Sequence, residues 1–174
     1  VFLRRNSGQT VAMGTGFAAG ATFWGFAAWQ VSGDRQLTFQ NNTLNGAGKA
    51  SIGLWAWGLQ SSVPTVITGG ALNNVKDVGV LAINRHSGWG DDSTAITVDG
   101  VPITMAAGGV GVEAYDDPAA AAGFTSLVIV KGNSAISGGA AGVMVVGADA
   151  AAKVIDNPTS ITGNAVGIDV KLLD

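Results

Sequence analysis

Six times along the chain a glycine is followed by an apolar residue, a variable residue and a second apolar residue. The copies are Gly25-Phe26-Ala27-Ala28, Gly53-Leu54-Trp55-Ala56, Gly79-Val80-Leu81-Ala82, Gly111-Val112-Glu113-Ala114, Gly142-Val143-Met144-Val145 and Gly167-Ile168-Asp169-Val170. Their glycines stand 28, 26, 32, 31 and 25 residues apart. A near-constant interval of this size marks an array. One such unit is too small to bury its own apolar side chains, so the copies must stack on one another.

Each interval holds three short apolar runs separated by two tight corners and one longer loop. One copy reads Thr65-Val66-Ile67-Thr68, a corner at Gly69-Gly70, Ala71-Leu72, then residues 78–83. The corresponding corners elsewhere are Asn41-Asn42, Asp99-Gly100, Gly132-Asn133 and Asn157-Pro158, residues that tolerate the left-handed conformation or preset φ. No window of ten residues keeps a helical period with caps at its ends, which argues against an α/β fold. An antiparallel sandwich would also have many short strands, but its hairpins do not require matching turns every 25–32 residues. Equivalent strands joined by a whole turn of chain pair in parallel. The expectation is an all-β, single-stranded parallel β-helix, or solenoid, of about six turns with three strands per turn. Residues 9–174 would form the stacked turns of one domain and residues 1–8 a flank outside them.

The stretch 157–170 has the pattern Asn-x-x-x-Ile-x-Gly-Asn-x-x-Gly-Ile-x-Val, with looser echoes at Ile136-Ser137-Gly138-Gly139 and Ile67-Thr68-Gly69-Gly70. It resembles the right-handed parallel β-helix repeats of pectate-lyase-like and surface-adhesin proteins, well over residues 36–170 and poorly over 9–35. The resemblance implies a right-handed coil and an extracellular or cell-surface setting. It leaves function open, because that fold serves lyases, hydrolases, tailspikes, adhesins and fibres alike.

Composition narrows the classes. Only 12% of residues are charged and mean hydropathy is +0.36, so charge-driven disorder is excluded. There is no cysteine, hence neither a disulfide framework nor a thiolate metal site. Nine scattered Lys and Arg under a net charge of −3 form no basic face for nucleic acid. The most apolar stretch, residues 11–31, is interrupted by four glycines and by Thr15, Thr22 and Gln30, so no membrane span is expected. The start at Val1 and the end just after Leu172-Leu173 suggest a piece of a longer array.

Strand alternation then places candidate sites. If the residue after each repeat glycine points inward, the inward positions are all apolar. The outward positions read Ala27/Trp29, Trp55/Trp57, Leu81/Ile83, Glu113/Tyr115, Met144/Val146 and Asp169/Lys171. Stacked, Trp29, Trp55, Trp57, Leu81, Ile83, Tyr115 and Met144 would make an apolar, aromatic-rich face that needs a cover. Three covers compete: a neighbouring segment of the same protein, a second subunit through self-association, or a polysaccharide stacking on the rings.

Acidic residues recur in the loop after the third strand: Asp34, Asp91-Asp92, Asp116-Asp117 and Asp149. Of these, Asp91, Asp92, Asp116 and Asp117 are the candidate ligands for Ca²⁺, a cation that takes several oxygens. No other cofactor is indicated. The sole histidine lies in Arg85-His86-Ser87-Gly88-Trp89-Gly90, the least repeat-like loop, and its only neighbours for lyase chemistry are Asp91-Asp92. Asparagines 41, 42, 73, 74, 133, 157 and 164 suggest amide ladders along the corners. No catalytic residue is assigned. The function these features point to is a rigid structural rod, such as an adhesin stalk, sheath or fibre. The alternative is a carbohydrate-binding or polysaccharide-degrading module.

Overall fold

A computed structural model of the chain describes residues 5–7, 10–12, 24–29, 37–57, 64–87, 90–157 and 160–171. Every regular element in it is a strand, and the strands pass in rotation through three parallel sheets. The first sheet stacks β1 (Arg5–Ser7), β4 (Thr38–Gln40), β7 (Thr65–Thr68), β11 (Thr94–Asp99), β14 (Ser126–Lys131) and β17 (Ala150–Val154). The second stacks β2 (Thr10–Ala12), β5 (Thr43–Asn45), β8 (Ala71–Val75), β12 (Ile103–Met105) and β15 (Ile136–Ser137), and Ile161 adds a bridge to Ile136. The third stacks β3 (Trp24–Trp29), β6 (Ile52–Trp57), β9 (Val78–Ser87), β13 (Val110–Asp116), β16 (Ala141–Val146) and β18 (Val166–Lys171). The chain is therefore a parallel β-solenoid, as the glycine spacing predicts.

Each coil sits on the next in register, so residues fall into rows along the axis. Phe39, Ile67, Val98, Val130 and Val154 form one inward row of the first sheet. Leu44, Leu72, Ile103, Ile136 and Ile161 form the inward row of the second. Leu54, Val80, Val112, Val143 and Ile168 form that of the third. These rows make one continuous core, and in the middle coils they are sealed from water. Burying one such aliphatic side chain contributes roughly 1.5–3 kcal/mol, and a single coil has nothing to bury it against.

The bend from the first sheet into the second is built on backbone handedness. Asn41, Gly69, Gly100, Gly132 and Asp156 each follow the first-sheet strand, and their φ values are 57°, 61°, 64°, 65° and 53°. Only glycine, asparagine and aspartate adopt that left-handed region at low cost, which is why those residue types occupy the corner. The last corner turns at Asp156, one residue before the expected Asn157.

Two further expectations are corrected by the backbone. Arg5–Ser7, in the flank left outside the repeat, pairs with β4 and opens the first sheet. Among the asparagine bonds described, one amide–amide rung joins successive coils. Asn73 donates to Asn45, whereas Asn41, Asn74 and Asn133 supply positive φ, and Asn157 and Asn164 donate to backbone carbonyls. Amide-to-backbone bonds satisfy corners where the stacked residues are not all asparagine.

Candidate functional site

The face singled out by the sequence is the outer side of the third sheet, and its geometry starts from the repeat glycines. A Cβ placed on Gly25, Gly53, Gly79, Gly111 or Gly142 would lie no more than 2.8 Å from the carbonyl oxygen of the next repeat glycine. It would also press on the Leu or Ile of the second-sheet row, Leu44, Leu72, Ile103, Ile136 and Ile161 in turn. Close approach of two coils, rather than an unusual φ, is what demands glycine here.

Strict alternation fails at this bend. Val112 is sealed in the main core, and the Cβ position of Gly111 also meets a core side chain, so two successive residues face inward. Val110, just before them, is turned out and packs with Ala141, Met144, Val146 and Tyr115 in a cluster separate from the core. The strand enters the third sheet while still bending out of the second, and the pleat restarts after the glycine. The outer face is thus three rows wide rather than two.

Those rows are set by strand register. One runs Trp24, Ile52, Val78, Val110, Ala141, Val166; the next Ala27, Trp55, Leu81, Glu113, Met144, Asp169; the third Trp29, Trp57, Ile83, Tyr115, Val146, Lys171. All seven residues proposed for the face are therefore brought together in adjacent rows. The side chains of Trp29 and Trp57 lie outside the described residues. Trp55 is only 7% exposed and Met144 8%, while Leu81, Ile83 and Tyr115 are half-buried. At Trp55 and Met144 the chain itself provides cover, one of the three covers the sequence left open.

Glu113 stands in the middle row between Leu81 and Met144. Burial among these apolar neighbours pushes its carboxyl above the usual carboxylate range, and the Lys171 ammonium pulls it partly back. Lys171 is itself 3.5 Å from the Asp169 carboxylate.

The acidic loops follow the third-sheet strands and serve a different purpose. Asn84 is fully buried and joins them. Its Nδ2 donates to Asp116 Oδ1 at 2.7 Å and to the Phe124 carbonyl at 2.6 Å, and its Oδ1 accepts from the Asp117 amide at 2.7 Å. The other Asp116 oxygen accepts from the Asp149 amide at 3.0 Å, and Asp117 Oδ1 accepts from the Ala119 amide at 3.0 Å. The Asp116 carboxylate thus ties its loop to Asn84 and to Asp149, while that of Asp117 holds its own turn. Among the described residues no three carboxylate, histidine or cysteine side chains gather as a metal site would require. Sequence reading passed over Asn84, although a polar residue closing an apolar strand, one coil before Asp116, was its signal.

Arg85, His86, Asp91 and Asp92 meet through the backbone. The strand β10 (Gly90–Asp92) folds back on the end of β9, the one antiparallel pair among the described strands. It sets Asp91 opposite His86 and Asp92 opposite Arg85. The side chains of these four residues lie outside the described residues, as does Asp34.

The chain matches no protein-family model, no curated protein and no solved structure. The class is fixed by the coordinates alone: a parallel β-solenoid whose outer third face is closed by the chain itself at Trp55, Val110, Ala141, Met144 and Val146.

Proposed function

We propose that the chain is a structural rod, a stalk, sheath or fibre element at the cell surface or outside the cell. The observation that carries this reading is the set of three in-register ladders, each with a continuous apolar row facing the core. Pull along the axis is then resisted by many parallel backbone bonds at once, and local fraying of one coil is opposed by its two neighbours. The extracellular setting rests on the resemblance of residues 157–170 to surface β-helix repeats.

A sugar-binding role loses its central residue. A ring that stacks on a saccharide must offer a face to solvent, and Trp55 is 7% exposed. The test is a panel of polysaccharides read by tryptophan fluorescence and by release of new chain ends. The rod reading expects neither response; a saturable fluorescence shift, or cleavage, would overturn it.

A further inference from the structure

We propose that Asn41 is an acceptor for an N-linked oligosaccharide, held on a bare corner of the rod. This rests on the extracellular setting of the rod reading. Attachment needs an asparagine followed two residues later by Ser or Thr, with any residue but proline between them. Among the asparagines of the chain only Asn41 meets that rule, through Asn42 and Thr43. Asn157 has Thr159 at the right distance, but Pro158 intervenes.

The fold makes the motif usable. Asn41 is the left-handed residue of the bend from the first sheet into the second, with φ 57°. Its backbone N–H donates to the Thr68 carbonyl at 2.9 Å, and the Asn42 carbonyl accepts from the Ala71 amide at 3.0 Å, so the next coil fixes the corner. Asn41 is exposed, Asn42 is buried, and Thr43 is half-buried on the outer side of the second sheet. The amide nitrogen is also uncommitted. Asn73, Asn84, Asn157 and Asn164 each donate Nδ2 to an adjacent coil, whereas Nδ2 of Asn41 has no hydrogen-bond partner among the described residues.

Room comes from the row in which Asn41 stands. The residues stacked after it are Gly69, Gly100 and Gly132, so the next three coils put no side chain in this row. The row stays bare for about 14 Å, three strand spacings. A Cβ on Gly69 would collide with Asn41 Oδ1, and one on Gly70 with the Asn42 carbonyl. The bend lies across the coil from the third sheet, so a glycan here leaves the outer third face uncovered.

The co-reactant is an oligosaccharide carried on a lipid diphosphate. Nδ2 of Asn41 bonds to the anomeric carbon while the bond from that carbon to the phosphate oxygen breaks. The lipid diphosphate leaves with the electron pair, and one amide proton passes to a base of the transferase. The Thr43 hydroxyl is the mark that the transferase reads. The product is a bulky, hydrated group on a chain in which only 12% of residues are charged, so it supplies solvation that the side chains do not.

Secretion of the chain from a cell that N-glycosylates, followed by intact-mass and peptide-mass measurement, tests this. The expected result is one glycan per chain, at Asn41, released by an N-glycosidase that leaves aspartate there. Thr43→Ala should abolish it, and Thr43→Ser, which keeps the hydroxyl, should retain it. Asn41→Gly should give a bare chain that still folds, since glycine holds the same corner in three later coils. A secreted, folded wild-type chain without sugar would overturn the proposal. So would a glycan that survives Thr43→Ala or Asn41→Gly. A response on the polysaccharide panel would instead overturn the rod reading and leave the glycan in place, so the two fail separately.

Discussion

Val143 and Ile168 hold the same place in successive coils, each just after a repeat glycine. Val143 is fully buried and Ile168 is more than half exposed. The residues barely differ; the coil above them does. In this molecule burial is conferred from outside each unit, so the middle coils and the last coil obey different energetics with almost the same sequence. Glycine shows the contrast again: a Cβ on Gly111 would be wedged against Ile136 and Gly142, whereas on Gly167 it would meet none of the described residues.

Mutations can break that comparison. The largest effect is expected for Ile136→Ala in the closed core, about 4 kcal/mol and roughly 10 °C in the thermal midpoint. Ile161→Ala, in the same row one coil later, should cost only about 1–2 kcal/mol because that side chain is half-buried already. Equal losses at the two positions would mean that the end is covered in solution. Next comes Gly111→Ala, about 3 kcal/mol from a methyl forced against the Gly142 carbonyl and Ile136, to be measured by urea titration. Asn84→Ala should follow at about 2 kcal/mol, since it removes buried hydrogen bonds to the Asp117 amide, the Asp116 carboxylate and the Phe124 carbonyl. Its cost should appear as faster amide exchange in residues 117–124.

The smallest effect concerns pH. The Glu113 carboxyl is held above its ordinary value of 4.5 in the folded chain. The folded state therefore keeps this proton more tightly than the unfolded one, and the group loses stability as pH rises through the interval above 4.5. Glu113→Gln should flatten that part of the stability–pH curve and raise stability at neutral pH. An unchanged slope would show that the carboxylate is solvated.

What could be read beforehand follows the physics of repetition. A glycine forced by the approach of two coils must recur wherever coils approach, so its spacing reported the fold and the rows. Corners were legible because few residue types accept a positive φ. The misses lie where the repeat is silent. Arg5-Asn6-Ser7 carries no apolar pattern, so nothing marked it as a strand of the first sheet. The hairpin at 84–92 interrupts the period, and its antiparallel pairing leaves no echo in other coils. The turn-out at Val110 depends on how sharply a strand bends, which strict alternation cannot express.

Rows also make the length of this molecule adjustable. Removing residues 79–110 would join Val78 to Gly111 and bring Leu54 beneath Val112, with Phe39, Ile67 and Val130 rejoined in a row one step shorter. The rod would shrink by one strand spacing, about 4.8 Å, and lose the hairpin, while each remaining junction would still set like upon like. Growth or loss of whole coils is therefore a single event for the gene and a small one for the fold, and the chain behaves as a ruler graduated in glycines.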